Sequence, residues 1–212
     1  MPVNSTGVRY FAGSIFLVGA LIAGLISYLY RLSLPELVPM HWGFSGQPDR
    51  YGSKWEALLF VPLFMICLGA VFGLIGVVSG KRLGQYATRG INVIAGFVVV
   101  LLLVIHQTIL VGNYSSVPKT VTVFLSILLV VLGFAMKGIE PNPFIGIRVP
   151  WTMNSPMVWR KTHESASKLW VRGGIFGLIC SLAGLPIAIP IFIFVGCIIY
   201  PIIDSYKISK AG

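Results

Sequence analysis

Long apolar runs alternate with short polar breaks along this chain, and the runs have the length of membrane spans. A helix that crosses a bilayer needs about 20 mostly apolar residues. That rule places spans at 10–30, 57–79, 91–112 and 119–137. The next apolar stretch, 169–206, is too long for one upright helix. Gly184-Leu185-Pro186 marks a break in it, because proline removes a backbone donor and clashes with the preceding turn. The break divides the stretch into spans at 169–184 and 187–206. The alternative is one long kinked helix and five spans. The pattern therefore predicts an all-α integral membrane protein with six transmembrane helices in a single membrane domain, 1–212. It also predicts a structured outer loop, 31–56, and an inner amphipathic or re-entrant loop, 138–168. The first run lacks a small-residue cleavage site and reads as a retained span.

Composition supports this class. Hydrophobic residues make up 56% of the chain and charged residues only 10%, against about 25% charged in a soluble domain. Lys and Arg number 16 and Asp and Glu 6, for a net charge of +10. In a soluble protein that excess would suggest nucleic acid. Here basic residues flank spans and set topology instead, so no direct nucleic-acid partner is expected. With six spans, Arg31, Arg50, Lys54 and Lys119 fall on one side and the remaining 12 of the 16 basic residues on the other. The positive-inside rule then puts both termini in the cytoplasm of a multi-pass cell-membrane protein. Cys67, Cys180 and Cys197 are scattered through apolar runs without metal spacing and read as small core residues.

The outer loop carries Pro35, Pro39, His41 and Trp42, then Asp49 and Arg50. Its prolines hold the first part extended, and the later Gly and Pro residues favour turns. A compact, non-helical cap follows, with an Asp-Arg pair. It is either a surface that meets a toxin or ligand, or a structural plug on the helix ends.

The inner loop is the most informative stretch. Ser155 is a good helix N-cap and Pro156 suits the first helical position. Trp159, His163, Ala166 and Trp170 then recur at steps of three and four, which puts them on one helical face. Arg160, Lys161, Glu164 and Lys168 fall elsewhere, with Glu164 and Lys168 spaced for an i,i+4 pair. The pattern is that of a basic helix lying in the membrane interface with tryptophan on its apolar side. Upstream, Pro150 pushes Val149 toward extended geometry and Gly146 adds freedom, so 144–152 is not a regular helix. Arg148 is expected to be held by backbone carbonyls or an acid. The stretch either docks a cytoplasmic partner or anchors the helices.

These loops together resemble the SdpI family of immunity and signalling membrane proteins. The inner match is Asn142, Phe144-Ile145-Gly146, Arg148, Pro150-Trp151-Thr152, Val158-Trp159, Thr162-His163 and Lys168. The outer pattern, from Leu34-Pro35 through Pro39, His41-Trp42, Gly46 and Asp49 to Lys54, resembles the module at the front of the same family. Met153 and Glu164 depart from the family pattern. The resemblance implies protection against a secreted peptide toxin and capture of a cytoplasmic transcriptional repressor at the membrane. It assigns partner binding to the inner residues, with Lys161 among them, and toxin contact to Pro35, Pro39, His41, Trp42, Asp49 and Arg50.

Catalysis is not expected. His41, His106 and His163 fall at different depths of the six-span topology and form no common metal site. His41 with Asp49 makes at most a weak metal pair. None of the six acids lies mid-membrane in this topology, which disfavours proton-coupled transport. Paired acids, a zinc motif and a Gly-rich phosphate loop are all missing, so no cofactor is implied. The intramembrane polar residues Asn92, His106 and Gln107 remain. They fit either helix–helix hydrogen bonds or, with Arg148, a small-molecule or ion conduit. A structural subunit of a larger membrane complex is a further alternative.

Overall fold

The computed structural model describes residues 11–79, 85–141 and 146–211. In chain order its elements are α1 Ala12–Tyr30, β1 Leu37–Trp42, β2 Pro48–Ser53, α2 Lys54–Ser79, α3 Gln85–Leu110, α4 Val117–Met136, α5 Pro150–Met153, α6 Pro156–Leu182 and α7 Ala188–Lys210. A single 3-10 turn, Tyr114–Ser116, precedes α4.

Among the described residues, five helices are long and apolar enough to cross a membrane: α1, α2, α3, α4 with its preceding turn, and α7. Between 22% and 39% of each apolar window is buried inside the protein. Exposed side chains such as Leu21, Leu29, Phe60 and Phe192 therefore form broad apolar faces, far beyond what a soluble monomer leaves in water. The protein is an all-α, multi-pass membrane protein.

The break at Gly184-Leu185-Pro186 is present. Helix α6 ends at Leu182, Gly184 takes φ +73°, and α7 begins at Ala188. Helix α6 differs from the other long helices. It is continuous for 27 residues, about 40 Å at 1.5 Å per residue. Its first half is polar and basic, and from Leu169 it is apolar apart from Arg172. The helix expected in the inner loop and the fifth apolar run are thus one rod. Helices α2 and α3 also start several residues before their apolar runs, at Lys54 and Gln85. Hydropathy sets how much of a helix lipid can cover, whereas caps set where it ends. At α2, the Ser53 hydroxyl accepts from the Glu56 amide at 3.1 Å.

Two segments depart from the sequence reading. The outer loop is a two-stranded sheet of β1 and β2, with Gly46 at φ +77° between the strands. Pro48 opens β2 rather than making a turn. Pro150 does set Val149 extended, at φ −109° and ψ 157°, yet it also starts a short helical turn, α5. Proline is tolerated there because the first helical residue needs no donor.

The chain divides into two compact units. The first comprises Met1–His41 and Pro48–Val117. Its core is a stripe on α1, Ala12, Phe16, Ala20 and Ala23, packed on Val61 and Met65 of α2 and Ala95 and Val99 of α3. A side chain at Gly13 would stand 2.8 Å from the Gly73 backbone nitrogen. Small residues let helices approach this closely, which matters in lipid, where apolar surface gains nothing from leaving water.

The second unit comprises Trp42–Gln47 and Pro118–Gly212. Here α4 and α6 approach equally closely, and a Cβ on Gly174 would stand 2.6 Å from the Ser126 carbonyl. Leu129, Met136, Ala166, Trp170 and Cys197 form its core. Phe44 stacks on Phe192 with ring centroids 6.3 Å apart. Cys180 and Cys197 are buried as expected, whereas Cys67 is exposed, among the outward side chains Phe64, Ile66 and Val71 of α2.

Candidate functional site

Within the second unit the inner segment, 146–170, is knitted by its own side chains. Ser155 caps α6 by accepting from the Val158 amide, with Pro156 in the first turn. The helical register then turns Trp159, His163, Ala166 and Trp170 inward, and all four are buried. This face is covered by protein and does not lie against lipid, because Ile139, Gly146, Ile147 and α7 supply partners for it. The Trp159 indole donates to the Ile139 carbonyl at 2.7 Å. The Trp170 indole donates to the Cys197 carbonyl at 2.6 Å. The Trp159 and His163 rings stack with centroids 4.1 Å apart.

His163 fastens the irregular segment to the helix. Its Nε2 accepts from the Ile147 amide at 2.9 Å, so Nδ1 carries the proton and donates to the Trp159 carbonyl at 2.8 Å. Gly146 sits against both rings at φ +127°. A Cβ there would stand 2.6 Å from His163 Nε2 and 2.8 Å from the Trp159 ring. Thr152 completes the turn. Its hydroxyl lies 2.7 Å from the Ile147 carbonyl and 2.9 Å from that of Val149, and accepts from the Val149 amide at 3.2 Å. Irregular backbone must have its polar groups satisfied when it is buried, and here side chains do so.

The other end of the segment is fixed to α7. The Trp151 indole donates to Ser205 Oγ at 2.9 Å, and its ring meets Tyr206 edge-on at 5.3 Å. Ser165 donates to Asp204 at 2.8 Å. Ser205, Tyr206, Asp204 and the Ile139 carbonyl are absent from the sequence-based site. The polar run Asp204-Ser205-Tyr206 at the end of an apolar stretch was the available signal for three of them. Nothing in the sequence marks Ile139.

The expected site residues thus separate into two groups. Gly146, Thr152, Trp159 and His163 hold the segment together, and Trp151 ties it to α7. Thr162 is also buried, with its hydroxyl unpartnered among the described residues. Arg148, Pro150, Lys161 and Lys168 are exposed. Arg148 makes no hydrogen bond or ion pair among the described residues, contrary to the expected hold by carbonyls or an acid. Glu164 and Lys168, both exposed, form no ion pair at their i,i+4 spacing among the described residues. Asn142 and Phe144 lie outside the described residues.

Burial pushes the His163 imidazole below its ordinary value of 6.5, and the hydrogen bond to the Trp159 carbonyl works against that shift. The sign of the linkage follows. Below about 6.5 the unfolded chain takes up a proton that folded His163 resists, so the stabilisation is complete above that pH and is lost as pH falls toward the folded value. Thermal unfolding of the purified protein in detergent should therefore shift down as pH falls below about 6.5, and His163→Gln should flatten that part of the profile.

In the first unit His41, Asp49 and Arg50 sit on the hairpin strands. His41 and Asp49 face each other across the two strands, 2.5 Å apart and both exposed. Arg50 pairs with Glu56 at 2.8 Å, so the sequence neighbours Asp49 and Arg50 take different partners. Alternation along a strand explains this, because neighbours in sequence point to opposite faces. Pro35 is exposed, Pro39 buried and Trp42 half-buried.

The intramembrane polar residues are engaged between helices. His106 Nε2 lies 2.9 Å from Ser27 Oγ and 3.3 Å from the Ala23 carbonyl, while Ser27 donates to the Leu58 carbonyl at 2.6 Å. This chain ties α3 to α1 and α1 to α2. Gln107 donates to the Tyr30 hydroxyl at 3.1 Å, and Asn92 accepts from the Phe11 amide at 2.9 Å.

Comparison with known proteins bears on both loops. Residues 138–204 match the SdpI/YfhL protein family. Residues 15–66, which include the hairpin, match a domain of unknown function, DUF1648. Immunity protein SdpI of Bacillus subtilis is 27% identical over 154 residues, 71% of this chain and 70% of that protein. An uncharacterized protein of Archaeoglobus fulgidus is 46% identical over 50 residues, 22% of this chain and 27% of that protein. No solved structure matches. The chain is therefore a multi-pass membrane protein whose residues 138–204, the inner segment and most of the last two helices, match the SdpI/YfhL family that its loops resemble.

Proposed function

We propose that this protein is a membrane immunity protein that protects its cell against a secreted peptide toxin, without catalysis. The observation that carries the reading is the similarity to an immunity protein across 71% of the chain. The charge distribution supports six spans with both termini and the inner segment in the cytoplasm and the hairpin outside. The hairpin then offers Pro35, His41, Asp49 and Arg50 to the toxin. The inner segment offers Arg148, Pro150 and Lys161 to a cytoplasmic partner, of which a transcriptional repressor is the kind the family resemblance implies. An exposed arginine beside an exposed proline turn is a fitting anchor, since arginine is enriched among the residues that dominate binding.

Expression in toxin-sensitive cells tests the reading. The wild-type chain should restore growth in the presence of the cognate toxin, and unchanged killing would sink the immunity role. Arg148→Ala should protect as the wild type does, yet recover about tenfold less repressor in co-purification. Equal recovery would remove Arg148 from the partner surface. Lys207 should resist labelling from outside intact cells; labelling there would reverse the topology.

A further inference from the structure

We infer that a groove on α6 and α7 binds the headgroup of an anionic phospholipid. The inference rests on the membrane-spanning character of the chain and is independent of the immunity reading. The groove has a volume of about 400 Å³ and is lined by Lys161, Glu164, Lys168, Leu169, Arg172 and Tyr200. The four charged residues recur at steps of three, four and four, so they form one strip along α6, about 16 Å long at 1.5 Å per residue. Three cations face one carboxylate. Lys161, Lys168 and Arg172 are all exposed, and no ion pair engages any of them among the described residues.

The position of Arg172 selects the ligand. It lies past Leu169, inside the apolar half of α6, beside exposed Ile175 and Phe176. A guanidinium at that place is costly unless it reaches toward the interface and meets an anion. Lys168, one turn earlier on the same strip, converges on the same place. A phosphodiester held between Lys168 and Arg172 neutralises both, and its acyl chains continue along the apolar surface by Leu169 and Tyr200. Basic pockets between helices on the cytoplasmic side bind lipid headgroups on this principle. A soluble phosphate would leave the apolar end uncovered, and an acidic protein segment would have to enter the lipid to reach Arg172.

Native mass spectrometry of the full chain in detergent, titrated with phosphatidylglycerol or phosphatidylcholine, tests this. The wild type should retain phosphatidylglycerol preferentially. Lys168→Gln with Arg172→Gln should cut the preference about tenfold with the unfolding temperature unchanged. Lys207→Gln with Lys210→Gln removes the same charge from the end of α7 and should leave the preference intact. On the unmodified protein, raising salt from about 50 mM to about 500 mM should weaken the preference. The proposal is overturned if the two double variants behave alike. It is equally overturned if inorganic phosphate raises the unfolding temperature as much as phosphatidylglycerol does, which would mean a soluble-anion site. Displacement of the lipid by a glutamate-rich peptide would indicate a protein-docking surface and overturn it as well.

Discussion

Trp159→Ala is expected to collapse the inner segment. The side chain is 1% exposed and among the largest fully buried side chains described. It fills the space between Gly146, His163 and Ile139, and truncating it leaves a void that the close-packed helices cannot fill. Losing a buried tryptophan costs about 3–5 kcal/mol. The Ile139 carbonyl also loses its donor, and a buried acceptor left unpaired is itself unfavourable. Thermal unfolding in detergent reads the loss. Trp159→Phe keeps most of the volume and gives up the hydrogen bond, so its cost should be smaller, about 1–2 kcal/mol. If Trp159→Ala unfolded at the wild-type temperature, this face would not be the core of the second unit. If the alanine variant were stable but failed to protect cells, Trp159 would instead belong to a binding surface.

Gly146→Ala should have the second-largest effect, for two separable reasons. The backbone at φ +127° is one that side-chain-bearing residues rarely adopt. The new methyl would also press on His163 Nε2 and the Trp159 ring, at 2.6 and 2.8 Å. Backbone strain and overpacking together should cost about 3 kcal/mol. Gly138→Ala separates the two. Gly138 also has positive φ, +71°, but open space around its would-be Cβ. Its substitution should cost only the strain, about 1 kcal/mol. Equal unfolding temperatures for the two variants would show that the contact with His163 and Trp159 carries no cost.

These two sites also show what sequence could and could not convey. The register of α6 was legible because Ser155-Pro156 marks its start and the apolar residues recur at helical steps. What that face touches was not legible. An apolar stripe beside basic residues looks the same whether lipid or protein covers it, and the covering residues Ile139 and Cys197 are remote in sequence. The hairpin was hidden for another reason. β1 contains Pro39, and a two-stranded sheet has no long alternating pattern to announce it. The short turn at Pro150 shows one residue with two consequences, extended geometry before it and helix after it. The spans themselves were plain, since lipid imposes a length and a polarity that few other environments do. His106 was recognisable as an unusual residue, but its partners Ser27 and Ala23 could be named only once α1 and α3 were seen together.

The indole bonds described above have an optical consequence. Three of the five tryptophans, Trp151, Trp159 and Trp170, place their N–H groups on Ser205, Ile139 and Cys197 in a single region of the chain. Trp55 is already 61% exposed and changes little when that region loosens. The emission colour of the unlabelled protein is thus weighted toward the inner segment, and the protein carries a built-in reporter of whether that segment is closed.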